Sequence, residues 1–331
     1  MNERNQAEDA MAYYADRYNS IVDYQFLSKN TTWITDHDPT NPAAQRCRFC
    51  GRGPSDNVTF RMKAHAGPES LGIKTIRTKN ECDECNRQFG AGIETDLGNR
   101  LNFLRSVTQV KGKGGAPKYE NPTGTMRIEH SAGKQSFSLT DKSLFDKAVA
   151  ANGAPFSFEL PTDASSEKHI PVEAFKALVK VACSVCSRDE LPECQSAIRW
   201  IMTGNRPYTS NLLVIRSFTS GPREAFENKV VLLRRKRPGP EPFLWCSLQV
   251  LNHGFQFFVP FCPADEQLFK GERVTIPAWP YRSAEISSDP PHDKFRCWQE
   301  DWSSNEKEQI SFAAGFHVQR AWVINGPTES S

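Results

Sequence analysis

The chain has 331 residues, 38% of them hydrophobic, with 41 Lys and Arg against 39 Asp and Glu. That length and apolar content suffice for about two ordinary domains. A net charge of +2 is too small to argue for a nucleic-acid partner by itself, so any such argument rests on where the charges lie. No run of about 18 apolar residues is present, and Met1-Asn2-Glu3-Arg4-Asn5-Gln6 lacks the apolar core of a signal peptide. A cytoplasmic protein with no membrane partner is expected, and its ten cysteines are expected to be reduced.

Residues 1–45 read as an N-terminal extension and linker. Met11, Tyr14, Tyr18, Ile21 and Val22 recur at helical spacing, and Asp36-His37-Asp38-Pro39 reads as a solvated turn rather than a metal cluster. Residues 46–110 carry the chemistry. Cys47-Arg48-Phe49-Cys50-Gly51 and Glu81-Cys82-Asp83-Glu84-Cys85-Asn86 hold two Cys-x-x-Cys pairs separated by 31 residues, the spacing of one tetrahedral four-cysteine zinc site. Such a site is closed, with no position for water, so Cys47, Cys50, Cys82 and Cys85 are expected to stabilise rather than catalyse. Val58, Phe60 and Met62 alternate with polar residues as in a strand, and His65 falls just past its end in a loop bounded by Gly67-Pro68 and Gly72. From Asn86 to Leu104 a helical pattern is set by Phe89, Ile93, Leu97, Leu101 and Leu104.

Between Leu97 and Tyr119 stand Arg100, Arg105, Lys111, Lys113 and Lys118 and no acidic residue. The glycine-rich part of this window, within a basic linker at residues 111–123, suits phosphate contact and an interdomain connection almost equally. Residues 124–331 read as an α+β domain with antiparallel strands, for target recognition or sensing. It has a hairpin over 125–139, an amphipathic helix after Pro171, a second helix over Cys194–Met202 ended by Gly204, and apolar strands at 212–218, 229–235, 243–251 and 254–261, with a turn at Asn252-His253-Gly254. Cys183-Ser184-Val185-Cys186 has metal spacing but lies in the apolar helix, where core packing is the default. Arg234-Arg235-Lys236-Arg237 reads equally as a solvated turn or a nucleic-acid contact. His130, His169, His253, His292 and His317 have no ligand-like neighbours.

Three motifs in order, Cys-Arg-Phe-Cys-Gly, Ala-His-x-x-Pro-Glu-x-Leu-Gly and Glu-Cys-x-x-Cys-Asn-x-x-Phe-Gly, resemble the zinc-bearing branch of the HNH endonuclease family, over about residues 46–110. The resemblance implies a small zinc-stabilised ββα-metal finger that hydrolyses DNA phosphodiesters with one divalent cation, Mg2+ or Mn2+, besides the structural Zn2+. It gives His65 the role of general base. Asn86 becomes an oxygen ligand to the catalytic ion, and Asn80 positions the histidine loop. Where many members carry an acidic ligand just before the histidine, this chain has Ala64; Glu69 and Glu94 are the nearest candidate replacements. Arg100, Arg105, Lys111 and Lys113 would hold flanking phosphates. Proteins similar to this often serve restriction or anti-phage defence, which makes a defence-system protein a candidate partner. A double-strand break from one site per chain would need a homodimer or two nicks. Two rivals stand beside this reading: a noncatalytic zinc-finger nucleic-acid-binding protein, and a structural or regulatory module stapled by the cysteines.

Overall fold

A computed structural model describes residues 3–26, 30–38, 40–131, 134–140, 142–151, 154, 156–159, 163–207, 211–219, 228–266, 276–279, 295–311 and 315–318. In chain order the elements are α1 (Glu3–Arg17), β1 (Tyr18–Gln25), β2 (Thr32–Ile34), β3 (Ile76–Thr78), α2 (Asp83–Ala91), α3 (Ile93–Arg100), α4 (Asn102–Thr108), β4 (Tyr119–Glu120), β5 (Met126–Ser131), β6 (Lys134–Leu139), α5 (Lys142–Ala151), β7 (Phe156–Glu159), α6 (Pro171–Val185), α7 (Gln195–Thr203), β8 (Leu213–Thr219), β9 (Lys229–Arg235), β10 (Leu244–Val250), β11 (His253–Phe258), β12 (Phe295–Asp301) and β13 (Gly315–Val318). Helices combined with mainly antiparallel sheets make this an α+β fold, as the sequence predicts.

The chain divides into two compact units that interleave in sequence. One comprises Met1–Gly98 and His169–Lys307, the other Asn99–Lys168 and Glu308–Ser331. The linker read at 111–123 falls inside the second unit, and the cysteine-bearing segment up to Gly98 packs with the large C-terminal region.

In the first unit a six-stranded antiparallel sheet runs β1-β9-β10-β11-β8-β12. Its edge strand β1 lies within residues 1–45. Tyr18, Ile21 and Val22 therefore belong to a strand, against the helical reading, because pairing of Tyr18–Gln25 with Lys229–Arg235 outweighs their local spacing. Every residue of β10 and β11 is buried, as expected for strands covered on both faces. On one face, Phe175 of α6 meets Phe257 and Trp200. A further cluster joins Tyr14, Tyr18, Val231, Leu233 and Trp245. The tight turn between β10 and β11 uses Leu251 and Asn252, one residue earlier than predicted, with Val250 opposite His253.

Helix α6 departs from its amphipathic reading. Every residue in it except Glu173 is buried. It starts at Pro171, whose missing N–H costs nothing at a first helical position. Asp96 of α3 accepts the Ile170 N–H at 2.7 Å just ahead of it. Helix α7 follows and ends, as read, at Gly204. Cys183, Cys186 and Cys194 are all buried, in keeping with core packing.

The second unit carries the three-stranded sheet β4-β5-β6, whose β5–β6 hairpin the sequence anticipates; the tip residues Ala132 and Gly133 lie outside the described residues. Phe103, Tyr119, Met126, Ile128 and Ala164 form its core. The Asp163 carboxylate gathers Asn121 and Thr123 at 2.7 Å each. His292 also lies outside the described residues, and no described helix is long and apolar enough to cross a membrane.

Candidate functional site

The two Cys-x-x-Cys pairs converge. The Sγ atoms of Cys47, Cys50, Cys82 and Cys85 all lie within 4.8 Å of one another, and Cys50 and Cys82 are 3.8 Å apart. Edge lengths near 3.8 Å suit a tetrahedral ion with metal–sulfur distances of about 2.3 Å. The first pair sits on a turn closed by the Gly51 N–H donating to the Cys47 carbonyl, with Gly51 at φ 73°, where a side chain would be strained. The second pair begins at the N-terminus of α2, with Cys82 as its N-cap. A hydrogen bond from Cys85 holds the Cys47 thiol down at about 5; burial opposes the shift, and the Cys82 backbone N–H also donates to this sulfur. Among the described residues this is the one group of three or more Cys, His, Asp or Glu side chains that could hold a metal ion.

Residues 58–63 do not form the predicted strand. Their backbone is captured by Asp83 instead: its carboxylate accepts the N–H groups of Arg61 and Met62 at 3.1 and 2.7 Å and the Thr59 hydroxyl at 2.5 Å. The ladder begins later. Ala66 N–H donates to Ile76 and Thr78 N–H to Ala64, bridging His65 to Arg77 in antiparallel fashion. Between the cysteine pairs the chain thus makes two short antiparallel segments, followed by helix α2. The predicted helix over 86–104 is three helices, interrupted at Gly92, whose φ and ψ are −111° and −106°, and at Leu101.

Alternation along the first segment buries Ala64 and Ala66 and turns His65 outward. A carboxylate at position 64 would face inward, away from the imidazole. The carboxylate beside His65 is instead Glu69, whose Oε1 lies 3.1 Å from Nδ1. Because an ionised carboxylate only accepts, this contact assigns the proton to Nδ1 and leaves the Nε2 lone pair for another partner. Burial is the main cause holding His65 below the ordinary imidazole range. Glu69 pulls the other way, and the Arg77 and Lys180 cations reinforce burial. These effects together favour the neutral ring.

Behind His65 lies a lysine that sequence reasoning did not single out. Lys180, 1% exposed in the middle of α6, donates to the His65 carbonyl at 2.9 Å and to Glu94 at 3.2 Å, and pairs with Glu81 at 3.1 Å. Burial opposes its charge, but Glu81 and Glu94 outweigh burial and raise its pKa. The loop after His65 is seated on the same helix, since a Cβ on Gly67 would come within 2.7 Å of both Ile73 and Val181.

The two asparagines have other partners. Buried Asn80 accepts the Asp36 N–H at 3.0 Å, and its carbonyl accepts the Arg48 N–H at 2.7 Å. Asn86, in the first turns of α2, has its Nδ2 3.6 Å from the Met62 sulfur. Among the described residues neither is hydrogen-bonded to His65. The structure thus places Glu69 against the His65 imidazole and Glu94 on the lysine behind it.

Of the four basic residues expected on phosphates, Arg100 is buried and paired with Glu308 at 3.0 Å, and Arg105 is partly buried with its pKa lowered to about 10 by desolvation. Lys111 and Lys113 are exposed on a turn bridged by Gly112 and Gly115. The basic tip at 234–237 is largely tied into the fold: Arg234 pairs with Glu190, and Arg235 with Asp265 at 3.3 Å. A cleft of about 520 Å³, lined by Cys47, Arg48, Arg188 and Arg199 among others, does not include His65, Glu69 or Glu94. No protein-family model, curated protein or solved structure matches the chain.

Proposed function

We propose that this protein is a metal-dependent endonuclease that hydrolyses DNA phosphodiesters with His65 as general base, on a finger stapled by a structural Zn2+ at Cys47, Cys50, Cys82 and Cys85. The observation that carries this reading is the placement of His65, turned outward on a short antiparallel pair that leads into helix α2, with Glu69 engaging Nδ1 so that Nε2 is the basic atom. A histidine in that state accepts the proton of a water molecule as the water oxygen bonds to phosphorus and the 3′-oxygen departs. Glu69 fixes the tautomer and stabilises the imidazolium that forms. Lys180 fixes the His65 backbone from behind, so the ring is aimed by a buried element rather than a free loop.

Mg2+ or Mn2+, held by Glu69 or Glu94 with substrate phosphate and water, would supply charge stabilisation to the pentavalent phosphorus. The fit to such an ion is partial, because Glu69 already engages His65 and Glu94 already engages Lys180. The same two engagements favour the rival reading, a zinc-bearing nucleic-acid-binding protein that does not cut.

Plasmid conversion with Mg2+, Mn2+ or EDTA separates the two. For the nuclease, cation-dependent nicking or linearisation is expected, lost in His65→Ala and reduced in Glu69→Gln while both variants keep their zinc. Binding without cleavage under any cation, unchanged by His65→Ala, rejects the hydrolytic reading.

A further inference from the structure

The short strands around His65 put two more side chains in line with it. Strand β2 pairs with β3 in parallel register, with Trp33 opposite Arg77, and the antiparallel bridge on the other side of β3 places His65 opposite Arg77. Directly opposed residues project from the same face of a sheet. The burial pattern agrees, since Ile34, Ala64, Ala66, Ile76 and Thr78 are buried whereas Trp33, Arg77 and His65 are not. The bonds flanking the His65–Arg77 bridge come from neighbouring residues, so the two form a non-hydrogen-bonded pair, the arrangement that brings side chains closest. One face therefore carries a row of Trp33, Arg77 and His65.

Within the row, Trp33 is 44% exposed, an unusual state for so large an apolar ring. Two cations flank it: the Arg77 guanidinium carbon and the Lys79 Nζ are each 5.8 Å from the ring centroid. Arg77 Nε donates to the Lys74 carbonyl at 3.4 Å, and among the described residues no carboxylate forms an ion pair with Arg77. An exposed indole beside two cations, neither of them ion-paired to a carboxylate among the described residues, is complementary to a strand of nucleic acid. Bases stack on the ring, while phosphates meet a guanidinium able to hold two oxygens at once.

We infer that Trp33 and Arg77 form the substrate platform of the His65 site: Trp33 stacks an unpaired base of a DNA strand, and Arg77, between it and His65, holds the adjoining phosphate, with Lys79 on the next. This deepens the endonuclease reading and rests on it for the role of His65. A base within a duplex is already stacked and offers no free face, so the platform selects single-stranded or locally unpaired DNA.

Fluorescence anisotropy with a labelled 12-nucleotide single strand and the matching duplex, in EDTA, reads the platform without cleavage. Trp33→Ala is expected to weaken single-strand binding at least about tenfold and duplex binding much less, with Trp33→Phe restoring most of the loss. Arg77→Gln is expected to weaken binding and lower the slope of log affinity against log salt by about one, whereas Arg77→Lys keeps the slope. Zinc content and melting temperature, unchanged in these surface variants, separate lost contacts from lost fold. Wild-type binding by Trp33→Ala and Arg77→Gln overturns the inference even if His65-dependent cleavage is found, and so does an equal loss on single strand and duplex. If the wild type cuts no DNA yet these binding losses appear, the platform stands and the hydrolytic reading fails.

Discussion

The Lys180 ammonium, at the centre of a helix buried on nearly every side, donates to the backbone carbonyl of His65 at 2.9 Å. Its other partners, Glu81 and Glu94, make it the hub of a buried charge cluster under the site. Removing one partner of such a cluster leaves an uncompensated charge, which typically costs about 3–5 kcal/mol. Lys180→Met should therefore lose stability of that order in urea denaturation, and the double variant Lys180→Met/Glu81→Gln should recover part of it. Equal stability of Lys180→Met and wild type would mean that the cluster is not held as described.

Metal removal should act on the four-cysteine cluster first. If the four thiols hold one ion, acid-released metal should titrate to about one zinc per chain, and Cys82→Ser should lose it. Because Cys82 caps α2, and Phe89 of that helix packs on Phe49 of the first pair at 4.7 Å, the loss should carry helical signal with it in circular dichroism. Zinc retained by Cys82→Ser at the wild-type level would remove this cysteine from the ligand set.

What the sequence made legible is whatever depends on spacing. The four cysteines converge as their two pairs predict, and the loop after His65 supplies Glu69 four residues on. Residues 58–63 alternate like a strand, but a strand needs a partner, and Asp83 takes the N–H groups that a partner would have used. Pairing between Tyr18–Gln25 and Lys229–Arg235 spans some two hundred residues, so no local pattern could announce it. Lys180 was not legible either. It stands on a helical stripe with Glu173, Lys176 and Ser184, a face that reads as solvated from spacing alone, and only the packing around α6 shows that Lys180 is buried. The row of Trp33, Arg77 and His65 depends on the register of three short strands, and register is not written in composition.

Arg48 ties the first cysteine pair to the end of α6. Its Nη1 donates to the carbonyls of Cys183, Ser184 and Cys186 at 2.8–3.0 Å, where the helix leaves carbonyls unpaired, and its Nε donates to Asp36 at 2.6 Å. Arg48→Met keeps the apolar stem and strands these acceptors. A destabilisation of at least about 2 kcal/mol is expected, and Asp36→Asn should cost less because the helix cap survives. The order of the two variants in thermal melting tests the assignment; a larger loss for Asp36→Asn would contradict it.

Acid sensitivity should centre on His253. Burial, with the Arg216 cation adding to it, depresses this imidazole from 6.5 to about 3. The unfolded chain takes up the proton near pH 6.5, while the folded chain resists it until about pH 3. The neutral ring's contribution is therefore fully present above pH 6.5 and is lost as pH falls toward 3, at up to about 1.4 kcal/mol per unit. Substituting His253→Gln removes that titration whatever it does to packing, where the ring lies 5.2 Å from Phe218. The difference in unfolding free energy between wild type and variant, measured by urea titration from pH 7 to pH 4.5, should shift steadily against the wild type below about pH 6.5. A difference that stays flat across that range would show that the folded protein protonates His253 as readily as the unfolded chain does.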